Sequence, residues 1–434
     1  KKPLAIGAVA VVALLAVLAF FLTQGGSGPG TSEPPVTAKV YKSTTDLCIV
    51  TVHNSGGGSE VSEENRELRE ELDAKLIRFK DYKVAKGKAV SPDATTQELI
   101  AVAKELDADF ILLATINSDK NRINAKLLNV EDGRNFWTKT LRESDIEGEG
   151  NFIDESTGLI AAHIAGHDGA IHRDILAKAL VKKEEDLTPM ELLQLGKSLW
   201  EDSTSENTIK AIEYLNRCIK LNPEISTAYG ILSEVYLEDI RGFYNKYPDA
   251  MTKAKDMAAR GVELEPSNAI ALIEQIWISW YENDFAAVEV QMEAALKANP
   301  YEALVQASVG SFYASTGVDY EKGKKHLDLA IKYNDTPQGW YYVGYIFYYM
   351  SKGDYDSALE YGLKSSYNSQ FVLPLVTSLF WLVENEESAL SYYQRIKKDI
   401  PNYSTEELDR FLGVFHYAPE SRKRILEAFI EVET

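Results

Sequence analysis

Cysteine is nearly absent: Cys48 and Cys218 are the only two in 434 residues. That excludes a disulfide scaffold and a cysteine-rich zinc site of the four-ligand kind. Cys48 falls in a β-branched strand run and Cys218 at a small, inward helix position, so they read as two separate core thiols. Positive charge is short too, with 46 Lys and Arg against 66 Asp and Glu, a formal charge of −20. Phosphate backbones need a basic footprint, so no nucleic-acid partner is expected for this segment. The deficit is uneven: residues 1–180 hold 21 basic and 26 acidic side chains, residues 181–434 hold 25 and 40.

Catalytic signatures are missing as well. There is no Gly-x-Ser-x-Gly elbow, no His-Glu-x-x-His pair and no dinucleotide-binding glycine fingerprint. No catalytic residue and no cofactor is assigned, and the segment is not expected to be an enzyme. Gly196-Lys197-Ser198 resembles the end of a phosphate loop, but Glu191 stands where the earlier glycine is needed, and the triplet falls inside a helix. His163 and His167 are spaced i, i+4 beside Asp168, yet no third ligand is defined and Gly166 weakens the helix, so they read as a solvated helix end. Asp145, Glu147 and Glu149 form an acidic loop without the spaced ligands of a calcium site. No metal site is assigned.

Among the features present, the longest hydrophobic run comes first. Leu4 to Leu22 is 19 uninterrupted Leu, Ala, Val, Ile, Phe and Gly residues. As a helix it would be about 28 Å long, the thickness of a hydrocarbon core. A signal peptide has a shorter apolar core and a small-residue cleavage site. Lys1 and Lys2 precede the run, and no basic residue follows until Lys39, which puts the N-terminus on the cytoplasmic side. The expectation is a single transmembrane helix over 4–22 in a bacterial inner membrane, with the C-terminal domains periplasmic. Residues 23–45 form a flexible linker, rich in Gly, Ser and Pro over Thr23–Pro35.

Residues 46–180 alternate strand and helix signals. Leu47–Val52 is a strand ending in a glycine-rich turn, His53 to Gly58. A helix over Ser62–Phe79 carries Leu68, Leu72, Leu76 and Phe79 on one face, and Thr95–Leu106 carries Leu99, Val102, Ala103 and Leu106. Tyr82–Ala85 and Phe110–Ile116 are strands. Arg122–Val130 and Phe136–Leu141 make a hairpin across Glu131-Asp132-Gly133, and a third helix covers Asp154–Ile164. The pattern predicts an α/β sandwich with a mixed sheet. Residues 76–90, 101–116 and 122–141 resemble the TolB-like N-terminal domain of bacterial membrane-anchored regulators and cyclases, which implies an extracytoplasmic, non-catalytic module. The glycine-rich turn departs from that pattern.

From Leu187 onward the chain repeats itself every 34–40 residues, the period of helix-pair solenoids. Small residues recur where paired helices cross, in four repeats with a helix-ending proline after them: Gly196, Ala211 and Pro223; Ser233, Ala254 and Pro266; Ala295 and Pro300; Gly310 and Gly323; Gly344 and Ala358; Ala389 and Pro401. These resemble about six tetratricopeptide repeats over 187–404, capped by helices over 405–434. A TolB-like domain joined to such repeats is similar to the ectodomains of CadC/ToxR-type winged-helix regulators and class III nucleotide cyclases.

Counting along each first helix from its small crossing residue places Trp200, Trp277, Trp280, Tyr281, Tyr341, Tyr345, Tyr348, Tyr349 and Trp381 on the concave side. Rigid aromatics are favoured anchors for peptides and small ligands, though they also fill the inside of a tight superhelix. The sequence therefore predicts the periplasmic sensory region of a membrane-anchored signalling protein. It would bind a protein, peptide or small ligand in the repeat groove and relay that to a cytoplasmic effector preceding Lys1, with a second copy of the chain (a homodimer) among its candidate partners. The alternative is a membrane-tethered periplasmic scaffold for envelope assembly with no effector.

Overall fold

A computed structural model describes residues 42, 44–50, 61–117, 121–146, 151–201, 204–242, 244, 246–365 and 372–434. Five strands, β1 (Thr45–Val50), β2 (Tyr82–Lys86), β3 (Phe110–Asn117), β4 (Arg122–Asn129) and β5 (Asn135–Arg142), form one sheet in the order β2-β1-β3-β4-β5. β1 is parallel to both β2 and β3, and β3, β4 and β5 follow as an antiparallel meander. Parallel neighbours need a crossover. Helix α1 (Glu63–Leu76) lies between β1 and β2, and α2 (Thr96–Lys104) between β2 and β3.

Both helices start on residues suited to the task. The Ser62 hydroxyl accepts the Asn65 N–H, and Thr95 forms a reciprocal capping box with Glu98. Alternation along β1 then sorts the core into two faces. Leu47 and Ile49 pack with Leu68, Leu72 and Leu76, while Cys48 and Val50 pack with Leu99 and Val102. Two further helices, α3 (Phe152–Ala165) and α4 (Ala170–Ala179), bury Leu159, Ile160, Ile164 and Ile171 on the α1 side. Both thiols are buried and free.

Helices then pair in succession: α5 (Pro189–Glu201) with α6 (Ser205–Leu221), α7 (Ser226–Arg241) with α8 (Ala250–Leu264), and α9 (Ala269–Tyr281) with α10 (Phe285–Ala298). They continue as α11 (Ala303–Thr316) with α12 (Tyr320–Lys332), α13 (Val343–Ser351) with α14 (Tyr355–Lys364), and α15 (Val372–Leu382) with α16 (Glu386–Asp399). A last pair, α17 (Thr405–Val414) and α18 (Pro419–Glu433), ends the chain. The crossing points are small for a steric reason. A methyl on Gly196 would stand 2.8 Å from the Leu215 side chain, and one on Gly323 would stand 2.6 Å from the Ala314 backbone nitrogen. Neither helix pair closes with a side chain there.

The structure is thus a mostly helical, tetratricopeptide-type solenoid joined to a small mixed sheet, and this corrects the expected architecture in one respect. No helix among the described residues is long and apolar enough to cross a membrane. The single transmembrane helix, the membrane contact through Leu4–Leu22 and the single-pass inner-membrane location are withdrawn on that finding. Leu4–Leu22 itself lies outside the described residues, as do most of the 23–45 linker, the His53–Gly58 turn and the loop acids Glu147 and Glu149.

Candidate functional site

The first helices of successive pairs turn one face inward, and α7 shows how completely: every residue from Ser226 to Asp239 is buried. Inside this curve lies a cavity of about 150 Å³, room for roughly five water molecules. Trp277 and Trp280, one turn apart on α9, stack at 5.0 Å with nearly parallel rings. Trp340 meets Trp277 edge-on at 6.4 Å, and Phe312 meets Trp280 edge-on at 5.1 Å. Trp200 of α5 and His167, from the loop between α3 and α4, line another side. Their rings meet edge-on at 6.2 Å.

The C-terminal pair closes the lining. Phe411, Phe415 and Tyr417 border the cavity together with Val372 and Leu375 of α15. Phe415 packs edge-on against Tyr281 at 5.9 Å, His416 against Phe285 at 5.5 Å, and the Ala418 N–H donates to the Ser315 carbonyl at 2.8 Å. Segments more than a hundred residues apart in sequence therefore share this wall.

Set into the aromatic lining is a buried group of charges. Glu234, Glu238 and Arg241 occupy successive turns of α7, and Glu274 projects from α9. Arg241 pairs with Glu234, lies 3.1 Å from Glu238 and sits 5.9 Å over the Trp277 ring. Burial acts against its charge, but Glu234 and Glu238 hold the guanidinium ionised. Burial and the facing Glu234 carboxylate push the Glu274 carboxyl well above the usual carboxylate range.

Of the residues expected to share a groove, Trp200, Trp277 and Trp280 converge on the cavity, and Tyr281 backs Trp277 at 6.5 Å. Tyr341 is wholly buried beside Trp340. Tyr345, Tyr348 and Tyr349 do not join them. Tyr345 and Tyr349 stack on Tyr361 at 4.4 and 5.3 Å, and Tyr348 packs on Tyr349 at 5.1 Å, beneath Lys324 and Lys352. A 3₁₀ turn, Gly339–Tyr342, precedes α13 and carries Trp340 and Tyr341. Trp381 does not line the cavity itself and packs with the cluster of Val372, Val376 and Phe380 behind it. Sequence reasoning missed Trp340, the cap aromatics and the buried charges. One signal was available: Glu274 is the lone charge in the α9 run AIALIEQIWISWY.

Next to the cavity the sheet unit meets the solenoid through a second buried polar group. His163, His167 and His172 are buried rather than at a solvated helix end. Lys197 donates to Asp168 Oδ1 at 2.9 Å and to the His167 carbonyl, and lies 3.6 Å from Glu201. Asn334 donates to Asp168 Oδ2 at 2.9 Å, and the His167 N–H donates to Glu302 at 3.2 Å. Burial opposes every charge here, yet Asp168 keeps Lys197 above its ordinary range and Lys197 holds Asp168 below its own. Burial, then Lys197, keeps His167 neutral. One nitrogen or oxygen from each of His167, Asp168 and Glu201 lies within 4.8 Å of the others, a spacing open to a metal ion. The Lys197 ammonium already supplies the positive charge there, so the three do not carry a metal assignment.

Neither a protein-family model nor a curated protein matches the chain. Solved structures do. The chain is similar to PilF of Pseudomonas aeruginosa, at 16% identity over 53% of this chain and 99% of that one, with a TM-score of 0.36. It is similar to PilW, a type IV pilus biogenesis factor, at 16% identity over 48% and 98%, TM-score 0.34. A tetratricopeptide repeat protein from Parabacteroides merdae is 13% identical over 55% and 99%, TM-score 0.30. The likeness concerns the stacked helix pairs alone, and nothing about function is taken from it.

Proposed function

We propose that this chain is a non-catalytic interaction scaffold, whose repeats hold a protein partner and whose tryptophan-lined cavity seats a side chain or short segment of it. The observation that supports this is the convergence of Trp200, Trp277, Trp280 and Trp340 on one cavity inside the repeats. Indoles give large, rigid contact area at small entropic cost, and such residues dominate binding energy when they cluster in desolvated pockets. The reading of the α/β unit as TolB-like, a non-catalytic module, belongs to the same proposal.

Selection of displayed peptides against the intact chain tests it. A consensus should emerge that binds the wild-type chain and loses at least tenfold in affinity in Trp280→Phe and Trp340→Phe, with helical circular dichroism unchanged. Retained affinity in both variants would place the partner elsewhere and refute the reading.

A further inference from the structure

The polar side of the cavity points to the chemistry of the occupant, and this step rests on reading the cavity as a binding seat. Three carboxyl groups, Glu234, Glu238 and Glu274, face one guanidinium, Arg241. Arg241 is committed to Glu234 Oε1 and Glu238. Apart from each other, Glu234 Oε2 and Glu274 Oε2 find no hydrogen-bond donor among the described residues, although the two residues are only 5% and 2% exposed, so the pair has just the one proton that Glu274 keeps toward Glu234. Buried acceptors of this kind are costly unless a donor reaches them.

Candidate occupants can be sorted against those two oxygens. A purely apolar group fills the space and leaves the two carboxyls with only the one proton between them. An anion adds charge to a group already holding more carboxyls than cations. A quaternary ammonium brings positive charge but no N–H. A primary ammonium brings both, and the stacked indoles of Trp277 and Trp280 attract a cation on their faces while covering an apolar stem.

We propose that the cavity binds a primary ammonium carried on an apolar stem, its N–H groups donated to Glu234 Oε2 and Glu274 Oε2 and its stem laid along the indoles. Without it, Glu274 retains a proton shared toward Glu234. With it, that proton leaves for solvent and the carboxylate pairs with the cation. The charged and titratable groups facing Glu274 are Glu234, Glu238 and Arg241 on α7 and Tyr281 on its own helix, with neutral His167 across the cavity.

Calorimetric titration of the intact chain with 1-hexylamine and 1-hexanol, in two buffers of different ionisation enthalpy, provides the test. The amine should bind at least tenfold more tightly than the alcohol and release about one proton near neutral pH. In Glu274→Gln the preference for the amine and the proton release should both disappear while the alcohol still binds. An acetylated Ala-Lys-Ala amide separates the two sources of this chemistry: tighter binding than hexylamine marks a partner's lysine, weaker binding a free amine. Equal affinity of the wild-type chain for amine and alcohol, a comparison that needs no variant, overturns the ammonium and leaves the cavity as a seat. Failure of both probes to bind removes the seat itself.

Discussion

Glu302 offers the sharpest quantitative test of how the sheet unit is held to the repeats. It caps α11, accepting the Leu304 N–H at 3.3 Å, and accepts the His167 N–H from the other unit at 3.2 Å. Burial outweighs these bonds and pushes its carboxyl up to about 7 from 4.5. At ~1.4 kcal/mol per tenfold, ionising it in the folded state costs about 3 kcal/mol. The sign follows from linkage. Below pH 4.5 both folded and unfolded states hold the proton and the cost is absent. It grows as pH rises from 4.5 to 7 and stays constant above. Glu302→Gln is neutral throughout and keeps an oxygen for both N–H donors, so it escapes the loss. Calorimetric melting of the two proteins from pH 4.5 to 8 should give similar midpoints in acid and a widening gap in favour of the variant. The gap should reach roughly 3–6 °C, since a kcal/mol moves a chain of this length by about 1–2 °C. His167 and His172, kept neutral by burial, lose stability as pH falls below 6.5, but they do so in both proteins and cancel in the difference. Parallel pH profiles would refute the argument.

Two further outcomes follow from buried groups. Lys197→Met strands the Asp168 carboxylate and should destabilise the junction by about 3–5 kcal/mol, with Asp168→Asn in the same chain restoring most of the melting temperature; an unchanged melt in the single variant would mean the pair is not load-carrying. Burial pushes the Cys48 thiol up to about 11 and the Cys218 thiol up to about 12, so a disulfide reagent at pH 8 should find neither in the folded chain and both in urea, and a fast-reacting thiol in the native state would contradict their placement.

Local features of the fold were legible in the sequence because their causes are local. Ser62 and Thr95 mark helix starts, Asp132-Gly133 marks the hairpin turn where Gly133 has φ of +71°, and small residues at Gly196 and Gly310 mark the close crossings. The functional site was legible only in part. Trp277 and Trp280 share a helix, so their spacing alone aligned them. Tyr345 and Tyr349 stack on Tyr361 of the paired helix and Tyr348 packs on Tyr349, contacts with a second helix that counting along one helix does not show. His163 and His167 resembled an exposed helix end because the groups that bury them, Lys197, Glu302, Lys332 and Asp335, come from far along the chain. The same distance hid Phe411, Phe415 and Tyr417 from any local count.

Those last three residues alter how the array should come apart. Open repeat arrays behave as one-dimensional stacks in which each unit feels its neighbours alone, so they fray from the ends and melt in stages. Here the final helix pair is fastened to α9 and α11, and Tyr417 stacks on Phe347 of α13 at 4.2 Å. Fraying from the C-terminus must therefore strip the cavity wall before it can loosen any intermediate repeat. The last thirty residues act as a clasp, and with it fastened the repeats from α9 onward should unfold as a single cooperative block.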